Sequence, residues 1–184
     1  YAGAIPHQHC APTLASLKTA NLFNCTAENP TALQMAVSRW QALLAPKVLN
    51  AALRESGDRA LVYVYRPDRL ARDLQQPGVA AFLAHCGYTG TAPAACLDVL
   101  GASWQSASDF PHEIGLFLGY PLGDVIGFIE NHGQNCLWLR GLEVYTNPEA
   151  AAGAFRKFSK CTRVYRRLFF GGQRNVEQLT VKSA

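Results

Sequence analysis

The chain has 184 residues, of which 49% are hydrophobic and 16% are charged, and its formal net charge is +4. This length suits one compact domain, and the apolar content is too high for an intrinsically disordered chain. No run of about eighteen apolar residues is present, which argues against a membrane role. The opening segment lacks the basic and apolar parts of a secretory signal. We therefore expect a single cytoplasmic domain over 1–184.

Six cysteines are spread along the chain, and no two of them form a Cys-x-x-Cys pair. A chain with this much apolar material does not need disulfides to hold its core together. We expect free thiols.

The first half of the chain combines helix signals with one strong strand signal. Segment 59–66 is rich in β-branched and aromatic residues and is bounded by Gly57 and Pro67, which predicts an interior strand. The helices are predicted from prolines at their first positions and from apolar residues that recur with helical spacing. They cover 12–23, 30–44, a turn or two from Pro46 toward Arg54, 67–74, 78–86 and 93–104.

The second half contains a glycine-rich segment and a long helix. Pro121 interrupts the glycine-rich segment, because proline cannot donate the amide that a continuous helix needs. Asn147 before Pro148 is a helix start, and Gly171 is the expected end. Strand candidates are 137–139 and 142–145. The predicted fold class is α+β, a mostly helical single domain packed around a small sheet formed by 61–66 and 142–145.

Four glycines recur at every fourth residue, at 115, 119, 123 and 127. A glycine inside a helix costs about 1 kcal/mol relative to alanine, so the stripe indicates close approach to the backbone. Either a second helix packs against it, or a flat cofactor such as haem or flavin lies between Tyr120 and the helix near Cys10. In the second case Gly119, Tyr120 and Gly123 bind the ligand. No phosphate-loop or dinucleotide glycine pattern is present.

Two long strings carry a family resemblance: 9–23, and 110–121 followed by 124–129. They resemble an uncharacterised family of anaerobic Gram-positive bacteria, domain of unknown function 3793, over nearly the whole chain. Its members often lie near flavodoxin and ferrous-iron transport genes, so the resemblance implies iron or low-potential redox metabolism by association. Two positions depart from the family pattern. Ser16 stands where glycine is usual, and Glu143 stands where lysine is usual.

Cys10 lies directly before the helix predicted from Pro12. A thiolate at a helix N-terminus is stabilised by free amides and the helix dipole, which lowers its pKa. Cys10 is therefore the best candidate nucleophile, with His9, Lys18 and Asn21 as ligand-binding residues. Lys18, about two helical turns on, would hold a carboxylate or phosphate. The alternative is a small buried hydrophobic residue at Cys10 and a solvated Lys18.

The same cluster also contains metal-ligating groups. His7, His9 and Cys10 offer imidazole and thiolate donors suited to zinc, iron or haem. Their spacing is poor for a structural zinc site. We retain only axial ligation of a metal or haem by Cys10 or His9.

His112 and Glu113 lie at the start of the glycine-rich segment. Glu113 either caps the amides of its own helix or orients a catalytic group. His112 is not needed for capping, and an imidazole near a helix N-terminus tends toward its neutral form, ready to act as a base. If Cys10 and His112 meet in space, they form a thiolate and base pair for nucleophilic catalysis.

The C-terminal helix carries a basic stripe, since Arg156, Lys160, Arg163 and Arg167 follow one another at spacings of four, three and four residues. Such a stripe is either a solvated face or a docking surface. An acidic electron carrier of the flavodoxin type fits the charge and the gene neighbours. Nucleic acid is the weakest candidate, because the pI of 8.8 is modest and no recognition motif is present.

Three functional hypotheses follow. The first is a cytosolic protein of anaerobic iron or redox metabolism that binds a small molecule or cofactor, with or without catalysis, in a pocket between the Cys10 helix and the helix start at 112–113. The second is a thiol-dependent hydrolase or transferase that uses Cys10, His112 and Glu113. The third is a non-catalytic adaptor that docks an acidic partner through the basic helix.

Overall fold

A computed structural model describes residues 9–26, 29–47, 50–56, 59–106, 111–132, 137–139 and 142–182. Its contacts group into two compact units. The first unit consists of Tyr1–Arg69 and Phe158–Ala184, and the second is Leu70–Lys157. The predicted fold class is confirmed, because the protein is a mostly helical α+β protein. The single domain expected over 1–184 stays a prediction. Among the described residues, no helix is both long enough and apolar enough to cross a membrane.

The helices are α1 Ala11–Leu14, α2 Pro30–Leu44, α3 Pro67–Leu74, α4 Val79–His85, α5 Pro93–Ser106, α6 Ile114–Phe117, α7 Leu122–Glu130, α8 Pro148–Phe170 and α9 Val176–Leu179, with a 3₁₀ turn at Ala45–Lys47. The strands are β1 Ala20–Thr26, β2 Asn50–Ser56, β3 Arg59–Tyr65, β4 Leu137–Leu139 and β5 Leu142–Val144.

The first unit is built on a three-stranded sheet in the order β1-β3-β2. Both outer strands run antiparallel to β3, with Tyr65 opposite Ala20 on one side and Asn50 on the other. Val62, Tyr63 and Val64 of β3 are fully buried, as expected for a central strand.

Helix α2 supplies much of the remaining core of the first unit. The Asn29 side chain caps the helix by accepting a hydrogen bond from the amide of Ala32 at 2.8 Å. Val37, Trp40 and Leu44 are buried in the cluster that also contains strand residues, which confirms the predicted apolar face at these positions. The side chain of Leu33, predicted on the same face, lies outside the described residues, as do His7 and Cys136.

The helix predicted over 12–23 is wrong, because α1 ends at Leu14 and β1 begins at Ala20. Between them Ser16 adopts a left-handed backbone with φ of +58°, at the position where the family pattern has glycine. In β1, Phe23 and Cys25 are buried while Asn24 is exposed. Pairing with β3 therefore overrides the local helix signal.

Two further predictions are corrected by the sheet. The helix expected from Pro46 toward Arg54 ends at Lys47, and the chain continues as β2 beside β3. The predicted sheet of 61–66 with 142–145 does not form, because β1 and β2 already occupy both edges of β3. Strand β5 pairs with β4 instead, with Leu137 opposite Val144.

From α3 onward, the helices largely follow the sequence prediction. Helices α3, α4 and α5 lie where they were expected, and the glycine-rich segment is interrupted between α6 and α7 at Tyr120 and Pro121. Helix α8 begins at Pro148, and the side chain of Asn147 accepts a hydrogen bond from the amide of Ala150 at 3.0 Å. Helix α9 was not predicted.

A buried arginine holds the first unit together. Arg66 follows β3, is 0% exposed, and donates hydrogen bonds of 2.7 Å to the carbonyls of Thr13, Leu14 and Val181. The carbonyl of Leu14 also accepts from the amide of Val181 at 2.9 Å. The planar guanidinium, with five N–H donors, suits several acceptors at once. Arg66 thus joins the end of α1 to the segment after α9.

A second cation strengthens the same connection. Lys47 donates hydrogen bonds to the carbonyls of Glu177 and Thr180, the latter at 3.0 Å. These carbonyls lie at the end of α9, where helix carbonyls lack partners within the helix. The C-terminal segment is therefore fixed at two points to residues from the first third of the chain.

Replacing Arg66 with methionine keeps a long buried side chain and removes its hydrogen-bond donors. Hydrogen bonds to a charged group contribute about 1.5–3 kcal/mol each, but the cost of desolvating the guanidinium offsets part of this, so we expect the free energy of unfolding to fall by about 3–5 kcal/mol. Urea denaturation measures this change. The control is Arg39→Met on the exposed side of α2, which should change the free energy by less than about 0.5 kcal/mol. Equal effects of the two variants would contradict the role given to Arg66.

Candidate functional site

Cys10 directly precedes α1, as predicted, but its side chain is 0% exposed. Burial raises the pKa of the Cys10 thiol far above its usual range, and the opposing effect of Lys18 is smaller. The expected lowering of this pKa is therefore wrong. The physical reason is that α1 has only four residues, so its dipole is weak against the loss of solvent. The catalytic role of Cys10 stays a prediction.

The other residues predicted around Cys10 lie on the same segment of the first unit. His9 is exposed, and its ring stacks on Phe23 with centroids 5.0 Å apart. The side-chain oxygen of Asn21 accepts a hydrogen bond from the Thr13 hydroxyl at 2.7 Å, which connects β1 to α1. Lys18 is half-buried. Asn21 and His9 thus both make contacts within the first unit, and their ligand-binding roles stay predictions.

The buried side of α8 lies close to α1, which sequence reasoning missed. The thiol of Cys161 donates a hydrogen bond to the carbonyl of Ala11 at 3.5 Å. Burial raises the pKa of Cys161 to about 11 and that of Tyr165 to about 12. Tyr165 also packs against the core cluster that contains Cys10. The surroundings of Cys10 are therefore those of a core residue.

Of the three metal-ligating residues that the sequence offers here, the structure describes His9 and Cys10. Among the residues that the structure describes, no group of three or more His, Cys, Asp and Glu side chains is arranged to hold a metal ion. Axial ligation by Cys10 or His9 alone stays a prediction.

Glu113 lies in the second unit and does not cap α6, since its side chain makes no capping hydrogen bond. It accepts a hydrogen bond instead from the hydroxyl of Tyr88 at 3.1 Å. Burial first, and the nearby Glu113 second, raise the pKa of Tyr88 well above its usual range. The same two causes raise the pKa of Cys86. Glu113 thus belongs to a partly buried polar cluster that sequence spacing could not reveal.

His112 is exposed, and its ring centroid lies 5.1 Å from that of Phe128. It belongs to the second unit, whereas Cys10 belongs to the first. The predicted pairing of Cys10 with His112, and the pocket between their helices, stay predictions.

Gly119 ends helix α6. It has a φ of +82°, and its amide donates to the carbonyl of Leu116 at 3.0 Å. The next amide, that of Tyr120, donates to the carbonyl of Gly115 at 3.0 Å. This pattern is a Schellman motif, in which glycine is favoured because the backbone is left-handed. Gly119 is therefore explained by the chain turn itself.

The remaining glycines of the stripe make room for other parts of the second unit. A methyl group added at Gly115 would lie 2.8 Å from Cγ2 of Val125. At Gly123 it would lie 2.5 Å from Cγ2 of Thr146, and at Gly127 it would lie 2.5 Å from Cγ of Tyr145. The close approach to the backbone that the stripe predicted is therefore present. At Gly123 and Gly127, the residues that approach belong to the segment after β5.

Asp124 holds that segment on α7. One of its carboxylate oxygens accepts from the amides of Tyr145 and Thr146 at 2.9 and 2.8 Å, and from the Thr146 hydroxyl at 2.8 Å. Thr146 therefore occupies the space next to Gly123 in which a flat cofactor would have to lie. The ligand-binding roles predicted for Gly119, Tyr120 and Gly123 stay predictions.

Helix α8 presents the most distinctive exposed chemistry. The side chains of Arg156, Lys160, Arg163 and Arg167 are all exposed, as predicted, and so are those of Lys157 and Arg166. No acidic residue occurs between Glu149 and Glu177. Within the described part of the chain, no ion pair or side-chain hydrogen bond neutralises these six cations. The sequence signal was sufficient to find this surface, although Arg166 was not included in it.

A groove lies beside the basic stripe. It has a volume of about 490 Å³ and is lined by Phe158, Ser159, Thr162, Arg163 and Arg166. These residues belong to the first unit and combine two guanidinium groups, two hydroxyls and an aromatic ring. Sequence reasoning missed the groove, although the spacing of four residues from Phe158 to Thr162 and on to Arg166 places these side chains on one side of the helix.

The fold and these surfaces define a mostly helical α+β protein whose exposed chemistry is concentrated on one cationic helix. The family described as "Protein of unknown function (DUF3793)" matches residues 7–180, and the chain belongs to that family. The suspected family is thereby confirmed. No curated protein and no solved structure matches the chain.

Thiol labelling tests the burial of Cys10. In the folded protein at neutral pH, we expect iodoacetamide to modify the half-buried Cys86 before Cys10, because access limits the reaction of a fully buried thiol. Peptide mass spectrometry over a time course gives both rates. Unfolding in urea should remove the difference. Labelling of Cys10 at the rate of Cys86 in the folded state would show that its burial is wrong.

Two glycine substitutions test the packing on α7. Alanine gains about 1 kcal/mol over glycine within a helix. Gly101→Ala in α5 meets no atom within 4 Å and should stabilise the protein by up to that amount. Gly127→Ala meets Cβ of Tyr145 at 2.7 Å and should destabilise it by about 1–3 kcal/mol. Thermal unfolding measures both changes, and a stabilising Gly127→Ala would refute the close contact.

Proposed function

We propose that the protein is an adaptor that docks an acidic protein through the basic face of α8. We define this basic face as Lys160, Arg163 and Arg167, with Arg156 preceding them on the same helix. The observation that carries the proposal is the row of exposed cations without acidic neighbours in the described chain. An acidic surface would supply the missing counter-charges.

The basic face is unfavourable for the isolated helix. Arg156 and Lys160, and likewise Arg163 and Arg167, are like charges at a spacing of four residues, and each such pair costs about 0.2–0.5 kcal/mol. A partner that brings carboxylates to this face relieves that repulsion and gains attraction. Electrostatic attraction between oppositely charged surfaces chiefly raises the association rate and fixes the partner's orientation. The charge pattern therefore favours a docking role.

The opposite side of α8 supports a fixed docking surface. Cys161 is buried, and Tyr165 and Phe169 pack against the core of the first unit. From Lys160 to Arg167 the helix rises about 10 Å, so a patch of a few carboxylates suffices to cover this row. Because the helix is anchored, little conformational freedom is lost when a partner binds.

The candidate partner is an acidic electron carrier of the flavodoxin type, which the family resemblance suggests through its gene neighbours. With it, the iron and redox context and the cytoplasmic location form part of the proposal. Nucleic acid is the competing polyanion. A thiol-dependent hydrolase is less well supported, because burial keeps the Cys10 thiol protonated at neutral pH. A small-molecule pocket at 112–113 has no further support from the contacts of Glu113.

The test is a calorimetric titration of a flavodoxin-type protein into the full chain. Reversing Lys160 and Arg167 to glutamate should weaken binding about ten- to hundredfold, since two attractive charges become repulsive. The matched control is Arg39→Glu with Lys182→Glu, which changes the net charge equally at exposed positions outside α8 and should leave the affinity within about threefold. Wild-type binding should weaken steeply as salt rises.

Three results would count against this proposal. They are equal weakening by the control pair, binding that salt does not affect, and no binding of the acidic protein at low salt. A single-stranded oligonucleotide that displaces the acidic protein at lower concentration would reassign the surface to nucleic acid. The melting temperature of each variant should stay close to that of the wild type, because the substituted side chains are exposed.

A further inference from the structure

We infer that the groove on α8 binds a small phosphate monoester that carries a flat or apolar group. The groove adjoins the basic face and shares Arg163 with it. At 100° per residue, Lys160 and Arg167 are about 160–180° around the helix from Phe158, whereas Thr162 and Arg166 are within about 80° of it. Arg163 borders both surfaces. This inference goes beyond protein docking, because four of the five groove side chains lie outside the basic face.

The groove residues form two adjacent rows on the helix. Phe158, Thr162 and Arg166 make one row, and Ser159 and Arg163 make the other, since side chains four residues apart lie above each other. Long helical side chains lean toward the preceding turn. Arg166 therefore leans toward Thr162, and Arg163 toward Ser159. Each row thus contains one arginine and one hydroxyl group.

This donor set fits a phosphate monoester better than a carboxylate. Two guanidinium groups supply two positive charges and forked N–H donors, which match the oxygen geometry of phosphate. Within the described residues, the hydroxyls of Ser159 and Thr162 make no hydrogen bond to the protein. They are therefore available to the third terminal oxygen. A carboxylate has one charge and two oxygens and would leave part of this set unused.

The size of the groove and its aromatic wall specify the rest of the ligand. A volume of about 490 Å³ lies within the range of roughly 300–1,000 Å³ for ligand pockets and far exceeds the volume of an inorganic phosphate. Phe158 is half-buried and lies two turns before Arg166, at the opposite end of its row. The exposed part of its ring offers apolar surface for the alcohol part of the ester, while the arginine end takes the phosphate.

The experiment uses the full chain and three probes: phenyl phosphate, glycerol phosphate and benzenesulfonate. Nuclear magnetic resonance titration gives each dissociation constant. We expect phenyl phosphate to bind at least threefold more tightly than glycerol phosphate, because of Phe158. It should bind at least tenfold more tightly than benzenesulfonate, which carries a single charge. Binding of phenyl phosphate should strengthen as the pH rises through about 6, where the phosphate takes its second charge.

Matched variants locate the site. Arg163→Gln with Arg166→Gln should weaken phenyl phosphate binding at least tenfold. Lys160→Gln with Arg167→Gln removes the same charge from the same helix and should change it less than threefold. Ser159→Ala with Thr162→Val leaves the charge unaltered and should weaken binding about three- to tenfold. Melting curves confirm that each variant is folded.

Equal losses from the two charge pairs would show diffuse attraction to the helix and overturn the inference. So would binding that does not depend on the hydroxyls, or a sulfonate that binds as well as the phosphate. A failure of acidic-protein docking is a separate result, because that test changes Lys160 and Arg167, which lie outside the groove.

Discussion

The guanidinium of Arg66 is the interaction on which the first unit depends. Removing a cation from water costs several kcal/mol, and this cost is offset only when hydrogen bonds replace the lost hydration. Arg66 gains three such bonds, to Thr13, Leu14 and Val181, and its amide donates to the carbonyl of Thr19 at 3.0 Å. The end of α1, the start of β1 and the segment after α9 are thereby fixed around the last residues of β3.

The position in which Arg66 holds α1 also determines whether the Cys10 thiol is protonated. Because α1 is held against the core at its end, Cys10 at its beginning lies among packed side chains, with α8 close by through Cys161. A helix start exposed to solvent would have favoured a thiolate. The same position inside a core favours the neutral thiol. The family string around Cys10 is therefore explained in large part by packing, with Asn21 and Thr13 hydrogen-bonded to each other.

Prediction from the sequence succeeded where local signals determine structure. The proline and asparagine start of α8, the break between α6 and α7 at Pro121 and the β-branched run of β3 all act within a few residues, and each was found. Strand β1 was missed because its conformation depends on pairing with β3, forty residues on. The role of Arg66 was missed because arginine is almost always exposed. The groove was missed for a different reason, since serine and threonine carry no strong signal within a helix.

The order of the two units along the chain has a consequence for synthesis. The second unit, Leu70–Lys157, is one continuous stretch, whereas the first is split into Tyr1–Arg69 and Phe158–Ala184. A ribosome thus produces the whole second unit before it makes the residues that complete the first. Until Val181 has been translated, Arg66 lacks one of its three acceptors and the carbonyl of Leu14 lacks the amide of Val181. The segment Tyr1–Arg69 therefore stays partly assembled, with apolar surface exposed, until the segment Phe158–Ala184 has been synthesised.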